Sequence, residues 1–120
     1  MDAKLLRILQ ATLEKTESGA LEWQSFDPDS FRTRIGSGSL HIQRGSAEGS
    51  NDGEHFSPFT TYSVQVADNQ GRVVAEAEVG ERVEGFGVFD QLFLAARKAA
   101  LRSDHVLDDM LKTLLGGSAA

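Results

Sequence analysis

The sequence predicts an α+β fold: a two-layer sandwich in which an antiparallel sheet of four to five strands carries an N-terminal and a C-terminal helix on one face. Three observations carry this. Apolar residues recur at three- and four-residue spacings at both ends of the chain, which is the period of a half-buried helix. Between the ends, four stretches alternate apolar and polar residues with a period of two (31–35, 40–44, 62–66 and 73–77). Gly- and Asp-bearing turns join these stretches in pairs, and strands so joined run antiparallel.

The elements follow in order. Residues 3–17 read as a helix whose stripe is Leu5, Leu6, Leu9, Thr12 and Leu13, with Ile8 at its edge. Asp2 is its expected N-cap and Gly19 its C′ residue, and Lys4, Arg7, Glu14 and Glu17 face water. Leu21 and Trp23 alternate with Glu22 and Gln24 as a short strand that Pro28 ends. Phe31, Thr33 and Ile35 pair with Leu40 and Ile42 across the turn Gly36-Ser37-Gly38. Residues 45–59, rich in Gly, Ser, Asn and Asp, read as a long mobile loop. Tyr62, Val64 and Val66 begin a second hairpin, turned by Asp68-Asn69-Gln70-Gly71. On its return strand Val73, Ala75 and Ala77 share one face, and Val74, Glu76 and Glu78 the other.

The last helix is expected over about 88–115. Its stripe is Phe89, Leu92, Phe93, Ala96, Ala99, Ala100, Ser103, Leu107, Met110, Leu111 and Leu114, with a kink allowed near Ser103. Residues 1–115 then form one domain and 116–120 a flexible tail. The expected core is Leu9, Leu13, Trp23, Ile35, Ile42, Val64, Val66, Phe89, Phe93 and Leu107.

Composition narrows the function classes. A chain of 120 residues can bury a core without staples. It has no Cys, which removes disulfides and thiolate metal sites. The first residues mix charges among leucines, unlike a secretory signal, and no stretch approaches the roughly 18 apolar residues of a membrane span. The expected location is the cytoplasm. A net charge of −6 opposes non-specific binding to nucleic acid and to anionic lipid.

The motifs offer little chemistry. His41, His55 and His105 fall on a strand, a loop and a helix without ligand spacing. His105 with Asp108 and Asp109 offers a His and two carboxylates on neighbouring helical positions, but a solvated helix face explains them more simply. Ser37 lies in a turn, not in a nucleophile elbow. Gly85-Phe86-Gly87 precedes a helix, yet Glu81 and Glu84 beside it repel phosphate. Trp23, Phe26, Phe31, Tyr62, Phe89 and Phe93 read as core before they read as a ligand box. No catalytic, cofactor-binding or metal-binding residue is assigned, and no cofactor is expected.

Strand alternation does place Arg32, Arg34, His41, Gln43, Ser63 and Gln65 together on the open face of the sheet. Arg32, Arg34, His41, Gln43 and Gln65 are the expected partner-binding residues; cross-strand pairing with Glu76 and Glu78 is the plainer alternative. The leading reading is a non-enzymatic protein-interaction module of the immunity, inhibitor or regulatory-subunit kind. It would bind a protein partner through this face or the 45–59 loop, with no nucleic acid or membrane partner and with homo-oligomers possible. One alternative is a small-ligand-binding or enzymatic domain with a pocket between the helices and the Trp23 segment of the sheet. Another is an acidic DNA mimic built from Asp27/Asp29, Glu48/Asp52/Glu54, Glu76/Glu78/Glu81/Glu84 and Asp104/Asp108/Asp109.

The pattern Leu9-x3-Leu13-x2-Thr16-x2-Gly19-x-Leu21-x-Trp23 resembles the opening of small bacterial domains of unassigned function. The Asp68-x2-Gly71-Arg72-Val73 turn and Ala95-Ala96-Arg97-x2-Ala100-Leu101 are similar to theirs as well. The resemblance implies the helix, hairpins and closing helix, and a bacterial or phage context. It brings no catalytic residues.

Overall fold

The computed structural model describes residues 2–51, 55–81 and 83–117; the side chains at 47–51, 55–58, 103, 104 and 117 are outside that description. Helix α1 (Ala3–Glu17) is followed by five strands: β1 (Trp23–Asp27), β2 (Ser30–Ile35), β3 (Gly38–Asn51), β4 (His55–Ala67) and β5 (Val73–Gly80). Helices α2 (Phe86–Leu101) and α3 (Ser103–Lys112) and a wide turn (Thr113–Gly117) close the chain. The strands form one antiparallel meander in the order β1-β2-β3-β4-β5. Helix α2 crosses one face and touches all five strands, and α1 packs against α2. The α+β sandwich read from the sequence is the fold.

Local chemistry sets the joints. The Asp2 side chain caps α1 by accepting from the Lys4 N–H at 2.8 Å, and Gly19 (φ +80°) ends it. Gly36 has φ +59° at the first position of the two-residue β2–β3 turn, a conformation a side chain resists. A Cβ on Gly38 would lie 2.6 Å from the Ala67 carbonyl oxygen, so β3 and β4 approach there only because the residue is glycine. In the β4–β5 turn the Asp68 carboxylate accepts from the N–H groups of Arg72 and Gln70, and these bonds hold its pKa below the usual value.

The core lies between α2 and the sheet. Phe31, Leu40, Ile42, Tyr62, Val64 and Val79 come from the strands, Phe89, Leu92, Phe93 and Ala96 from α2, and Leu9 from α1. Phe93 is its hub, with Phe31 and Tyr62 each 5.3 Å away between ring centroids. Trp23 closes the α1 side and donates its indole N–H to the buried Thr16 hydroxyl at 3.0 Å.

Four expectations are corrected. Residues 45–59 are not a loop: β3 and β4 pair from Ser39↔Ala67 out to Asn51↔His55, with 52–54 outside the described residues. Beyond Gln43 and Thr61 neither β2 nor β5 continues, so the ribbon is two strands wide. Among the described residues no third strand flanks it, so its sequence need not alternate as a covered sheet's does, and the periodicity that marks a strand is missing. Second, the closing helix breaks at Arg102 (φ +50°), beside Ser103 where the sequence allows a kink, but the part beyond the break is not buried as expected. α3 therefore leaves the core, and Leu107 is 57% exposed rather than buried. Third, Ile35 is exposed because it ends β2 beside the Gly36 turn, while Leu13 and Val66 are half-buried. Fourth, the pairing steps from Val66↔Ala75 to Ala67↔Val73, leaving Val74 as one extra residue. This bulge turns Val73 away from the face of Ala75 and Ala77.

The overhanging ribbon and α3 stretch the molecule. Its principal extents are 60 × 43 × 22 Å and its radius of gyration is 17.4 Å. A compact chain of this length would have a radius of roughly 14 Å.

Candidate functional site

Pairing register brings the expected residues into rows across the open face. Gln24 opposes Arg32, Arg32 opposes His41, His41 opposes Gln65, and Gln65 opposes Glu76, so one line of side chains crosses all five strands. A second row runs Ser30, Gln43, Ser63 and Glu78, and Arg34 stands opposite Ser39 in a third. Arg32, Arg34, Gln43 and Gln65 are exposed and His41 is half-buried. All five residues of the sequence reading thus share one surface.

The row is polar in charge. Arg32 and Arg34 lie on β2, and Glu76 and Glu78 lie on β5, roughly 14 Å away at three strand spacings. Gln65 reaches Glu76 at 3.5 Å. Cross-strand pairing therefore reaches Glu76 through Gln65, while among the described residues neither Arg32 nor Arg34 makes an ion pair.

Phe26 reads as core from the sequence, but it is 59% exposed on this face. The β1 register shifts between Ser25 and Asp27, and Phe26 falls in that irregularity. The Arg32 guanidinium lies 5.0 Å over its ring, and His41 meets its edge at 6.1 Å. The open face therefore carries an aromatic, which the alternation pattern missed because the bulge breaks the period of two. Phe26, Val73 and Ala67 supply apolar walls, and Ser30, Arg32, Ser39, His41 and Gln65 polar ones, of a shallow cleft of about 340 Å³.

The surroundings of His41 disfavour its charged form. Its pKa is lowered by burial first and by Arg32 second, with Asp27 acting the other way. Its Nε2 is hydrogen-bonded to the Ser30 hydroxyl. Ser30 is only 4% exposed. The bond fixes the angle of the imidazole.

The helix side holds a cluster that sequence reading did not find. Arg44 bonds Asp29 through Nε at 3.0 Å and Nη2 at 2.8 Å, and its guanidinium lies 4.6 Å over Phe93. Tyr62 donates to Asp90 at 2.6 Å, and burial, then this bond, push its pKa up to about 12. These groups come from four elements far apart in sequence, so no spacing announced them. They seal the rim of the core around Phe93.

A broader cleft of about 890 Å³ lies at the end of the sheet, where a pocket between helices and the Trp23 segment was an alternative. It is lined by Trp23 and Thr33 from the covered face, Arg32 and Arg34 from the open face, and Ala99 and Ala100 of α2. Residues from both faces show that it wraps around the sheet's end as a groove. The acidic groups divide between edges. Glu76 and Glu78 lie on β5, and Asp27 and Asp29 on the β1–β2 side, where Arg44 engages Asp29. His105, Asp108 and Asp109 are all exposed, and among the described residues no three His, Asp or Glu gather as a metal site. Gly85 takes φ +96° to enter α2, and Phe86 beside it packs 5.2 Å from Tyr62. Among the described residues no helix is long and apolar enough to cross a membrane.

No family model, curated protein or solved structure matches the chain.

Proposed function

We propose that the chain is a non-enzymatic protein-interaction module whose binding surface is the open sheet face, centred on Phe26, Arg32, Arg34, His41, Gln43 and Gln65. The observation that carries this reading is the unpaired Arg32–Arg34 couple beside an exposed aromatic. Both guanidinium groups lack a carboxylate partner among the described residues, and Arg32 rests on Phe26. Arg and aromatic side chains on a surface that the fold leaves uncovered are the residue types that anchor interfaces. The basic β2 side and the acidic β5 side would orient a partner with the opposite arrangement, an acidic segment lying along β2. The β3–β4 ribbon extends beyond the core and adds reach to the same surface. An immunity, inhibitor or regulatory-subunit role in the cytoplasm fits a small acidic domain of this kind.

The groove at the sheet's end favours a second reading, binding of a small ligand by Arg34, Arg102 and the Asp68 turn. The first reading is tested by one experiment; because Arg32 and Arg34 also line the groove, a change at Phe26 is what tells the two readings apart. A partner is captured from the source cell on immobilised protein and identified, and its affinity is measured by calorimetry for wild type and for Arg32→Ala/Arg34→Ala. The double variant should unfold within about 0.5 kcal/mol of wild type, because both side chains are solvated. It should bind at least about 2 kcal/mol more weakly if either Arg anchors the interface. Equal affinities from two folded proteins would rule this face out. Phe26→Ser separates the readings, since Phe26 lines the cleft of the open face and not the groove.

A further inference from the structure

We propose that the groove at the end of the sheet binds a small phosphate-bearing molecule, held by the guanidinium groups of Arg34 and Arg102. The assignment rests on the second reading above, that the groove takes a small ligand, and names that ligand's chemistry. At about 890 Å³ the groove has the size of a small-molecule site. Its charge sets the class. Three arginines line it, Arg32 and Arg34 from β2 and Arg102 from the joint between α2 and α3. None of the three makes an ion pair among the described residues. Arg32 is committed to the Phe26 ring, which leaves Arg34 and Arg102 to the groove. Two carboxylates line it as well. Asp68 is already occupied, accepting from two backbone N–H groups and from Arg72 Nε at 2.8 Å. Glu22 is exposed and joins no ion pair among the described residues. Positive charge is therefore in surplus here, on a chain whose net charge is −6.

The backbone at Arg102 is a second, independent observation. Among the described residues, Gly19, Gly36, Gly71, Gly85 and Gly116 take positive φ, and Arg102 is the one residue with a side chain that does so. A side chain strains this conformation and glycine relieves it. Such strain collects at binding sites, where the side chain itself is needed. At 102 the needed group is the guanidinium that lines the groove. Phosphate suits this arrangement better than carboxylate. A phosphate monoester carries roughly two negative charges and three acceptor oxygens on one centre. One such group meets guanidinium forks that arrive from two directions, one from the sheet and one from the helix layer. A carboxylate offers a single charge and two oxygens in one plane. The hydroxyls of Ser37 and Ser39, at the β2–β3 turn, line the same groove and supply donors for a remaining oxygen.

The test titrates inorganic pyrophosphate, citrate and sucrose into the whole chain in low-salt buffer and reads affinity and location from backbone amide NMR shifts. Pyrophosphate should move the groove signals, Ser39 and Arg102 among them, with Kd in roughly the 10–500 µM range. Arg102→Gly should weaken it at least about tenfold with the shift dispersion of the folded chain retained, because glycine suits the backbone there. Glu22→Gln should tighten it about twofold to fivefold, because an opposing charge is removed. Citrate or sucrose held in the groove more tightly than pyrophosphate would overturn the phosphate assignment and leave the groove as a ligand site. Groove signals unmoved by all three probes would overturn the assignment and the groove reading together. Pyrophosphate affinity unchanged in Arg102→Gly would show that Arg102 only ends α2, and would overturn the proposal as well.

Discussion

At the scale of single residues, His41 shows how a strand position becomes a chemically distinct group. On an isolated strand it is an ordinary polar residue. In the sheet it lies between Arg32 and Gln65, bonds Ser30 and meets Phe26, and its proton affinity drops. A histidine whose folded pKa is below its unfolded value binds fewer protons in the folded state. Stability is therefore complete above the unfolded pKa, near 6.5, and is lost as pH falls through that value toward the lower folded one. The unfolding free energy from urea titration should decline as pH drops below about 6.5, and His41→Gln should flatten that decline. A wild-type profile identical to the variant's would show that the imidazole is fully solvated. Phe93 is the complementary case, a residue whose role was legible from helix spacing alone. It is fully buried between Phe31, Tyr62 and the Arg44 guanidinium. Phe93→Ala should cost about 3–5 kcal/mol in chemical denaturation, since ring burial is lost and a cavity remains. An unchanged midpoint would contradict its place at the hub.

At the scale of elements, the well-read parts are those with a buried face. The bounds of α1, its Asp2 cap and its Gly19 end match the sequence reading, because capping and amphipathic spacing are local signals. The strands under α2 matched for the same reason. The ribbon and the expected burial of α3 did not. Among the described residues no third strand flanks the ribbon, so its residues need not carry a period of two. Helix α3 keeps a helical period, but periodicity reports that a face is apolar and not what it packs against. The difference between a continuous helix and two helices rests on one residue, Arg102 at φ +50°. A non-glycine side chain in that region costs about 1–2 kcal/mol. Arg102→Gly should leave stability unchanged or raise it by up to about 1 kcal/mol if the break persists in solution. If α2 and α3 were one continuous helix, the same glycine would cost about 1 kcal/mol. The sign of the shift in thermal midpoint decides between them.

At the scale of the molecule, one core joins α1, all five strands and α2, while the ribbon and α3 reach outward from it. Shared burial makes the joined elements cooperative. Urea unfolding followed by the single Trp, which sits at the junction of α1 and β1, should coincide with that followed by far-ultraviolet circular dichroism. Amide exchange should be slowest in β2–β4 near Ile42 and Val64 and faster through α3, whose hydrogen bonds have no core behind them. Separate transitions for the two probes would divide the core in two.

By itself the sequence determined the fold class, the caps and turns, and the shared face of Arg32, Arg34, His41, Gln43 and Gln65. These follow from spacings of two to four residues, which local geometry converts directly into facing. The tertiary structure decided the β-bulges that turn Phe26 and Val73 onto the open face, the pairing of 45–51 with 55–61, the rim of Asp29, Arg44, Tyr62 and Asp90, and the exposure of Leu107. Each of these depends on which segment lies above or beside another, and that is set by contacts between residues distant in the chain, where spacing carries no signal.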